Sequence, residues 1–234
     1  MKAMILAAGR GERMRPLTDT TPKPLLQVAG CSLIEYHIKA LYRAGIRDIV
    51  INHAWLGEQI EQTLGNGERF GLGITYSAEV EALETAGGIR HALPLLGSEP
   101  FIVVNGDIWT DYPLIQLINN AKKHLNQTTW AHLLLVPNPE QHPLGDFQLA
   151  EAEALVYDKN TQPEMDNYTF SGVAIYHPKI FCFIEEGVQA LAPVLRSLIR
   201  EQHVSGELYS GDWFDIGTPE RLAEINRFLL QKSS

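Results

Sequence analysis

Residues 2–25 read KAMILAAGRGERMRPLTDTTPKPL, a short apolar run that empties into a loop with almost nothing to bury. Lys2–Ala7 reads as a buried parallel strand, because its apolar residues are continuous rather than alternating. The loop over residues 9–25 holds two glycines, four cations and three prolines. Its cations are Arg10, Arg13, Arg15 and Lys23, opposed only by Glu12 and Asp19. Glycines let backbone N–H groups approach a ligand, cations attract phosphate, and prolines stiffen the segment. Together they predict a polyphosphate site at the end of the first strand.

Outward from this unit, strand-length apolar runs alternate with helix-period segments as far as residue 136. Ser32–Ala44 reads as a helix: Ser32 and Glu35 form an S-x-x-E box, Leu33, Ile34, Ile38 and Leu41 make the apolar stripe, and Gly45 stops it. Strands are expected at Ile46–Asn52, Ile74–Glu79, Phe101–Asn105 and Trp130–Val136. Helices are expected at Leu56–Leu64, at Thr85–Leu96 with an interruption at Pro94, and at Leu114–Leu125. The rhythm predicts an α/β fold on a doubly wound, mostly parallel, Rossmann-like sheet. Such sheets bind ligands off the carboxyl ends of their strands, here Ala8–Gly9, Asn52–His53, Glu79 and Asn105–Asp107. Beyond 137, Pro137, Pro139 and Pro143 break the rhythm, and Gly145–Tyr157 and Thr169–Tyr176 read as strands of a small mixed extension. Helices near 190–202 and 218–231 flank an expected strand pair, Glu207–Tyr209 and Trp213–Ile216. Asp158–Asn167 reads as a flexible loop, and Trp55 and Trp130 as core.

The 234-residue chain has a formal net charge of −9, which argues against nucleic acid or an anionic membrane as its partner. Residues 1–43 nevertheless carry seven Lys/Arg against three Asp/Glu, so a discrete anion site sits on an acidic protein. Cys31 and Cys182 lie far apart without CxxC spacing, which fits a reducing, cytoplasmic setting. No targeting segment, membrane span or histidine metal motif is expected.

The glycines match neither standard phosphate loop. G-x-G-x-x-G would need glycine where Met14 stands, and Pro16 and Pro22 keep the segment extended. A Walker A loop would need Lys23 after glycine, not between Pro22 and Pro24. What remains is G-x-G-x-R-x-x-P-L-T…P-K-P-L, and LAAGRGERMRPLTDTTPKPL resembles the signature of the sugar-1-phosphate nucleotidyltransferases. The resemblance continues through NHAWLGEQI, LETAGGI, VNGDIWTDY, FSGVAIYHP and WFDIGTPERL. These stretches look most like the branch that uridylylates N-acetylmuramate α-1-phosphate in cell-wall sugar recycling. Guanylyl- and thymidylyltransferases for mannose, heptose or glucose 1-phosphate are similar, and Ala86 matches the wider superfamily. The resemblance implies one domain of the nucleotide-diphospho-sugar transferase type over 1–234, with 1–136 binding nucleotide and 137–234 binding sugar. It implies a monomer or small homo-oligomer.

The implied reaction is attack of a sugar 1-phosphate oxygen on the α-phosphorus of UTP, releasing pyrophosphate. The nucleophile is already anionic, so the work is neutralising charge rather than removing a proton. Gly9 and Gly11 would present N–H groups, and Arg15 and Lys23 would neutralise the triphosphate. The resemblance extends the nucleotide set to Ala8, Glu12 and Arg13, and gives Lys23, with Arg15 and Asp107, a catalytic part. Asp107 ends the strand FIVVNGD and suits Mg²⁺, with Asp215 in WFDIGT as second ligand. Taken alone, each aspartate also suits a turn or helix cap. Glu79 could accept N–H from uracil, thymine or guanine, beside Gly87 and Gly88, whose missing side chains admit a flat base. Asn105, Asp146, Ser171, Gly172, Glu207 and Asp215 are the candidates for the sugar; Trp109, Trp213 and Phe214 could pack on it or in the core. A silent nucleotide-sugar sensor is the rival from a different class.

Overall fold

The computed structural model describes residues 1–232. Its strands are β1 (Ala3–Leu6), β2 (Gln27–Val28), β3 (Cys31–Ser32), β4 (Asp48–His53), β5 (Gly73–Ala78), β6 (Phe101–Asn105), β7 (Ile108–Thr110), β8 (Ala131–Val136), β9 (Phe147–Ala150), β10 (Leu155–Asp158), β11 (Asn167–Tyr176), β12 (Val204–Leu208) and β13 (Trp213–Asp215). Its helices are α1 (Leu33–Arg43), α2 (Gly57–Leu64), α3 (Glu84–Leu96), α4 (Leu114–His124), α5 (Lys179–Cys182), α6 (Leu191–Arg200) and α7 (Pro219–Lys232).

Nine strands form one sheet in the order β5-β4-β1-β6-β11-β8-β12-β10-β9. Both faces are covered, so alternate residues of one strand serve different cores: Ala3 and Ile5 of β1 pack in one cluster, Met4 in the other. One cluster lies with α1, α2 and α4, the other with α3, α5 and α6. In α1, the Glu35 carboxylate accepts the Ser32 N–H at 3.2 Å, as the S-x-x-E pattern predicts.

The α/β arrangement with helices on both faces is present, but the sheet is mixed rather than mostly parallel and Rossmann-like. β5, β4, β1 and β6 are parallel neighbours. β11 then pairs antiparallel with both β6 and β8, and β12 runs parallel to β8. β8 therefore points the way β6 does, as the rhythm suggests, yet a later strand separates them. β9 pairs with β10 and again with the start of β11, so β11, β8, β12, β10 and β9 close into a ring.

Four local expectations change. Pro94 does not interrupt α3, because it falls in the last turn, two residues before Leu96. The expected C-terminal strand pair is not made: β12 joins the large sheet, while β13 pairs with β7. The 158–167 segment is hydrogen-bonded through Gln148, which is 1% exposed. The Gln148 amide oxygen accepts from the Thr161 and Gln162 N–H groups, and its nitrogen donates to the Gln162 and Met165 carbonyls. Trp55 and Trp130 are only partly buried, Trp130 packing at the edge of the second cluster, with Arg10 over the Trp55 ring and Lys179 over the Trp130 ring, each at 4.0 Å.

Candidate active site

The carboxyl ends of β1, β4 and β6 meet the 9–25 loop around an open cavity of about 430 Å³. Its lining includes Ala8, Gly9, Gly11, Glu12, Arg13, Lys23, Asn52, Thr85, Asn105 and Asp107. The loop is not extended. It winds through single 3-10 turns at Glu12–Met14, Leu17–Asp19 and Lys23–Leu25, with Pro16 and Pro22 immediately ahead of the last two. Proline's preset φ suits the start of such turns as well as extended chain. Gly11 has φ +68°, and its carbonyl accepts from the Thr18 hydroxyl at 2.7 Å. Met14, fully buried, plugs the loop into a third apolar cluster with Leu33, Trp109, Ile216 and Ile225.

These turns sort the four cations. Lys23 is buried, and its Nζ donates to Asp107 Oδ2 at 2.8 Å across the cavity wall. Arg13 lines the cavity, whereas Arg15 does not: it faces solvent and pairs with Asp19 at 2.7 Å. Of the two arginines, Arg13 is therefore the one placed at the cavity, contrary to the expectation for Arg15. Arg10 lies over Trp55 and pairs with Glu12 at 3.4 Å.

Glu79 also differs from expectation. It is buried and absent from the cavity lining, with one carboxylate oxygen accepting from Asn52 Nδ2 at 2.6 Å and the other from the Leu83 N–H at 2.9 Å. Asn52 in turn accepts the Ala7 N–H at 2.9 Å and faces the cavity. Gly88 permits this pair: a methyl there would lie 2.8 Å from both Asn52 Nδ2 and Glu79 Oε1. Gly88 thus admits protein side chains, where sequence suggested a base.

The two aspartates converge. Asp215 of β13 pairs in register with Ile108, and the Ile216 N–H donates to the Asp107 carbonyl at 2.8 Å. Both aspartates line a second cavity of about 260 Å³, with Asn105, Ser171, Gly172 and Trp213. Asp215 is held by the Arg221 guanidinium. Two carboxylates on one cavity are the hard-oxygen donor set that a divalent ion of magnesium's class takes alongside phosphate oxygens and water. Beneath them His37 is fully enclosed. Burial pushes its imidazole down to about 4, against the Asp107 charge and the backbone of Ile108 and Gly106, which pull it up.

A model of the nucleotidyl transferase family matches residues 2–232. The chain belongs to that family. It is 55% identical, over 96% of each chain, to the N-acetylmuramate alpha-1-phosphate uridylyltransferase of Neisseria meningitidis serogroup B. The protein of that name from Caulobacter vibrioides is 36% identical, over 93% of this chain and 92% of its own. A crystal structure of a putative glucose-1-phosphate thymidylyltransferase from Bacillus anthracis, in complex with a sucrose, superposes with a TM-score of 0.83 at 23% identity, covering 97% of this chain and 94% of that one. At that identity it establishes the nucleotidyl transferase fold alone.

Within that fold, five of the six expected sugar-side residues line cavities: Asn105, Ser171, Gly172 and Asp215 the second, and Asp146 a neighbouring one that also reaches Asn105. Gly172, at φ +82°, brings its backbone against Asn105, where a methyl would lie 2.8 Å from Nδ2. The Ser171 carbonyl accepts from Trp213 Nε1 at 2.9 Å, and Asp146 accepts the Phe170 N–H at 2.9 Å while contacting His142 Nε2 at 3.0 Å. Glu207 is not with them: it lines neither cavity, and its carboxylate accepts from the Tyr112 hydroxyl at 2.6 Å and from the Asn120 amide. Trp109 is core, while Trp213 faces the second cavity. Sequence reasoning missed Asn52, although Asn52–His53 was one of the strand ends it named. His37 carried no signal, being one polar residue on the apolar face of α1.

Proposed function

We propose that this nucleotidyl transferase moves a uridylyl group from UTP to a sugar 1-phosphate, with N-acetylmuramate α-1-phosphate as acceptor. The sugar phosphate oxygen attacks the α-phosphorus, the bond to the bridging α–β oxygen breaks, and pyrophosphate leaves with that electron pair. The observation that carries this reading is the Lys23–Asp107 pair at the junction of two cavities, with Asn105 and Asp107 lining both. The larger cavity takes the triphosphate and base, and the second takes the sugar phosphate. Lys23, Arg13 and the N–H groups of Gly9 and Gly11 hold the charge that grows on pyrophosphate. Glu79 acts through Asn52, as a positioning residue for the nucleotide wall. Asp107 and Asp215 would hold Mg²⁺, which when bound supplies positive charge to the phosphate oxygens.

In this reading residues 1–136 serve the nucleotide and 137–234 the sugar, within one domain that acts as a monomer or small homo-oligomer. Cytoplasmic cell-wall sugar recycling is the matching context, without nucleic acid or membrane partners. No helix among the described residues is long and apolar enough to cross a membrane. The choice of uridine and of the muramate sugar comes from the two relatives of that name.

The test is pyrophosphate release across UTP, GTP, dTTP and CTP with N-acetylmuramate, N-acetylglucosamine, glucose and mannose 1-phosphates. The highest kcat/KM is expected for UTP with N-acetylmuramate 1-phosphate. A faster reaction of GTP with mannose 1-phosphate would sink the substrate assignment, and absence of pyrophosphate with every pair would leave a nucleotide-sugar sensor.

A further inference from the structure

The group that distinguishes N-acetylmuramate 1-phosphate from other amino-sugar phosphates is the lactyl ether at C3 of its ring. It carries a methyl and ends in a carboxylate, so a site that selects it needs an apolar wall next to a fixed cation.

A third cavity, of about 380 Å³, opens at Asn105, which also lines the other two. Phe147, Phe170 and Leu195 give it apolar walls. Among the described residues lining it, Arg196 is the one Lys or Arg. Arg196 is carried by α6, which buries Leu195, Leu198 and Ile199, so the backbone beneath the guanidinium is anchored in the core. Its Nε donates to Asp158 Oδ1 at 3.2 Å. Among the described residues that is the guanidinium's hydrogen bond, and the two outer nitrogens are left for a ligand. An arginine pre-oriented in this way suits two parallel hydrogen bonds to a carboxylate. Asp146 lines the cavity too, but its oxygens are engaged by His142 and the Phe170 N–H.

Resting on the acceptor assigned under the proposed function, we propose that Arg196 determines acceptor specificity by receiving the lactyl carboxylate in this third cavity. The lactyl methyl packs against Phe147 and Phe170. The C1 phosphate then lies at Asp107 and Asp215, and the sugar ring passes Asn105.

The experiment compares wild type, Arg196→Gln and Arg196→Lys with UTP, Mg²⁺ and two acceptors. These are N-acetylmuramate 1-phosphate and N-acetylglucosamine 1-phosphate, which lacks only the lactyl group. Acceptor binding is read as KM, or as a competitive inhibition constant where turnover is slow. In Arg196→Gln the constant for the lactyl sugar is expected to rise at least about tenfold, while that for N-acetylglucosamine 1-phosphate stays within about twofold. Arg196→Lys should recover part of the loss. Equal losses on both acceptors, or a wild-type preference that survives Arg196→Gln, would overturn the assignment of Arg196 and leave the proposed acceptor standing. A wild type that does not favour the lactyl sugar would overturn that acceptor, and this assignment with it.

Discussion

Along the wall made by β1, β4 and β6, the polar groups stand at strand ends and are held by other buried groups. Asn52 is tied to the Ala7 N–H and to Glu79, and Asp107 to Lys23, with neutral His37 below. On the ring side, Asp146, the consecutive Ser171 and Gly172, and Arg196 come from three separate stretches of chain, and aromatic and aliphatic surface fills the space between them. The contrast matches the division of labour proposed above, with phosphate on one wall and sugar on the other. Charge that moves during reaction needs donors set in advance, because reorganising them costs rate. A sugar needs shape first, with a few polar groups to orient it.

Removing a set donor is the strongest way to break that contrast. Lys23→Ala should lower kcat/KM about 10³-fold, ~4 kcal/mol, measured by pyrophosphate release at saturating Mg²⁺. A loss under about tenfold would mean that the strand-end wall does not carry the charge. His37 comes next. Its folded value of about 4 lies below the ordinary 6.5, so as pH falls the unfolded chain takes the proton first. Its contribution is therefore complete at neutral pH, declines below pH 6.5 and is lost as pH falls to about 4, at most ~3 kcal/mol. Urea unfolding of wild type and His37→Gln at several pH values should show the wild type losing more stability across this window; parallel losses would exclude a neutral buried imidazole. The smallest effect belongs to the ring. Gln148→Ala should cost about 2 kcal/mol and open 158–167 to proteolysis, raising the sugar KM while leaving that for UTP unchanged. A matching rise for UTP would show that the two walls do not act separately.

The strand-end wall was legible only at Lys23 and Asp107, which lie in short contiguous stretches beside apolar runs, while Asn52 and His37 on the same wall were missed. Asp107 could be read from its place at the end of an apolar strand, Lys23 from the resemblance carried by its loop, and the α1 cap from spacing. Direction was not legible: the 169–176 run announces a strand, but nothing local tells it to pair antiparallel between β6 and β8. Arg13 and Arg15 differ only by two positions, and the 3-10 turns decide which one faces the cavity. Glu79 looks solvated at a strand end until Gly88, nine residues on, brings α3 against it. Glu207 is claimed by Tyr112 and Asn120, 95 and 87 residues away, and no local pattern carries such partners. The cavity lined by Arg196 was invisible for the same reason, because α6 reads simply as an amphipathic helix.

The reversal at β11 has a practical consequence for anyone wishing to redirect this catalyst. In the large sheet β11 is the single strand laddered to both the parallel block and the ring beyond it, and it reaches the cleft at Ser171 and Gly172. A graft that keeps β11 and exchanges β9, β10 and the helix behind them would swap the proposed acceptor-reading part as a cassette. The phosphate machinery would stay on its original foundations.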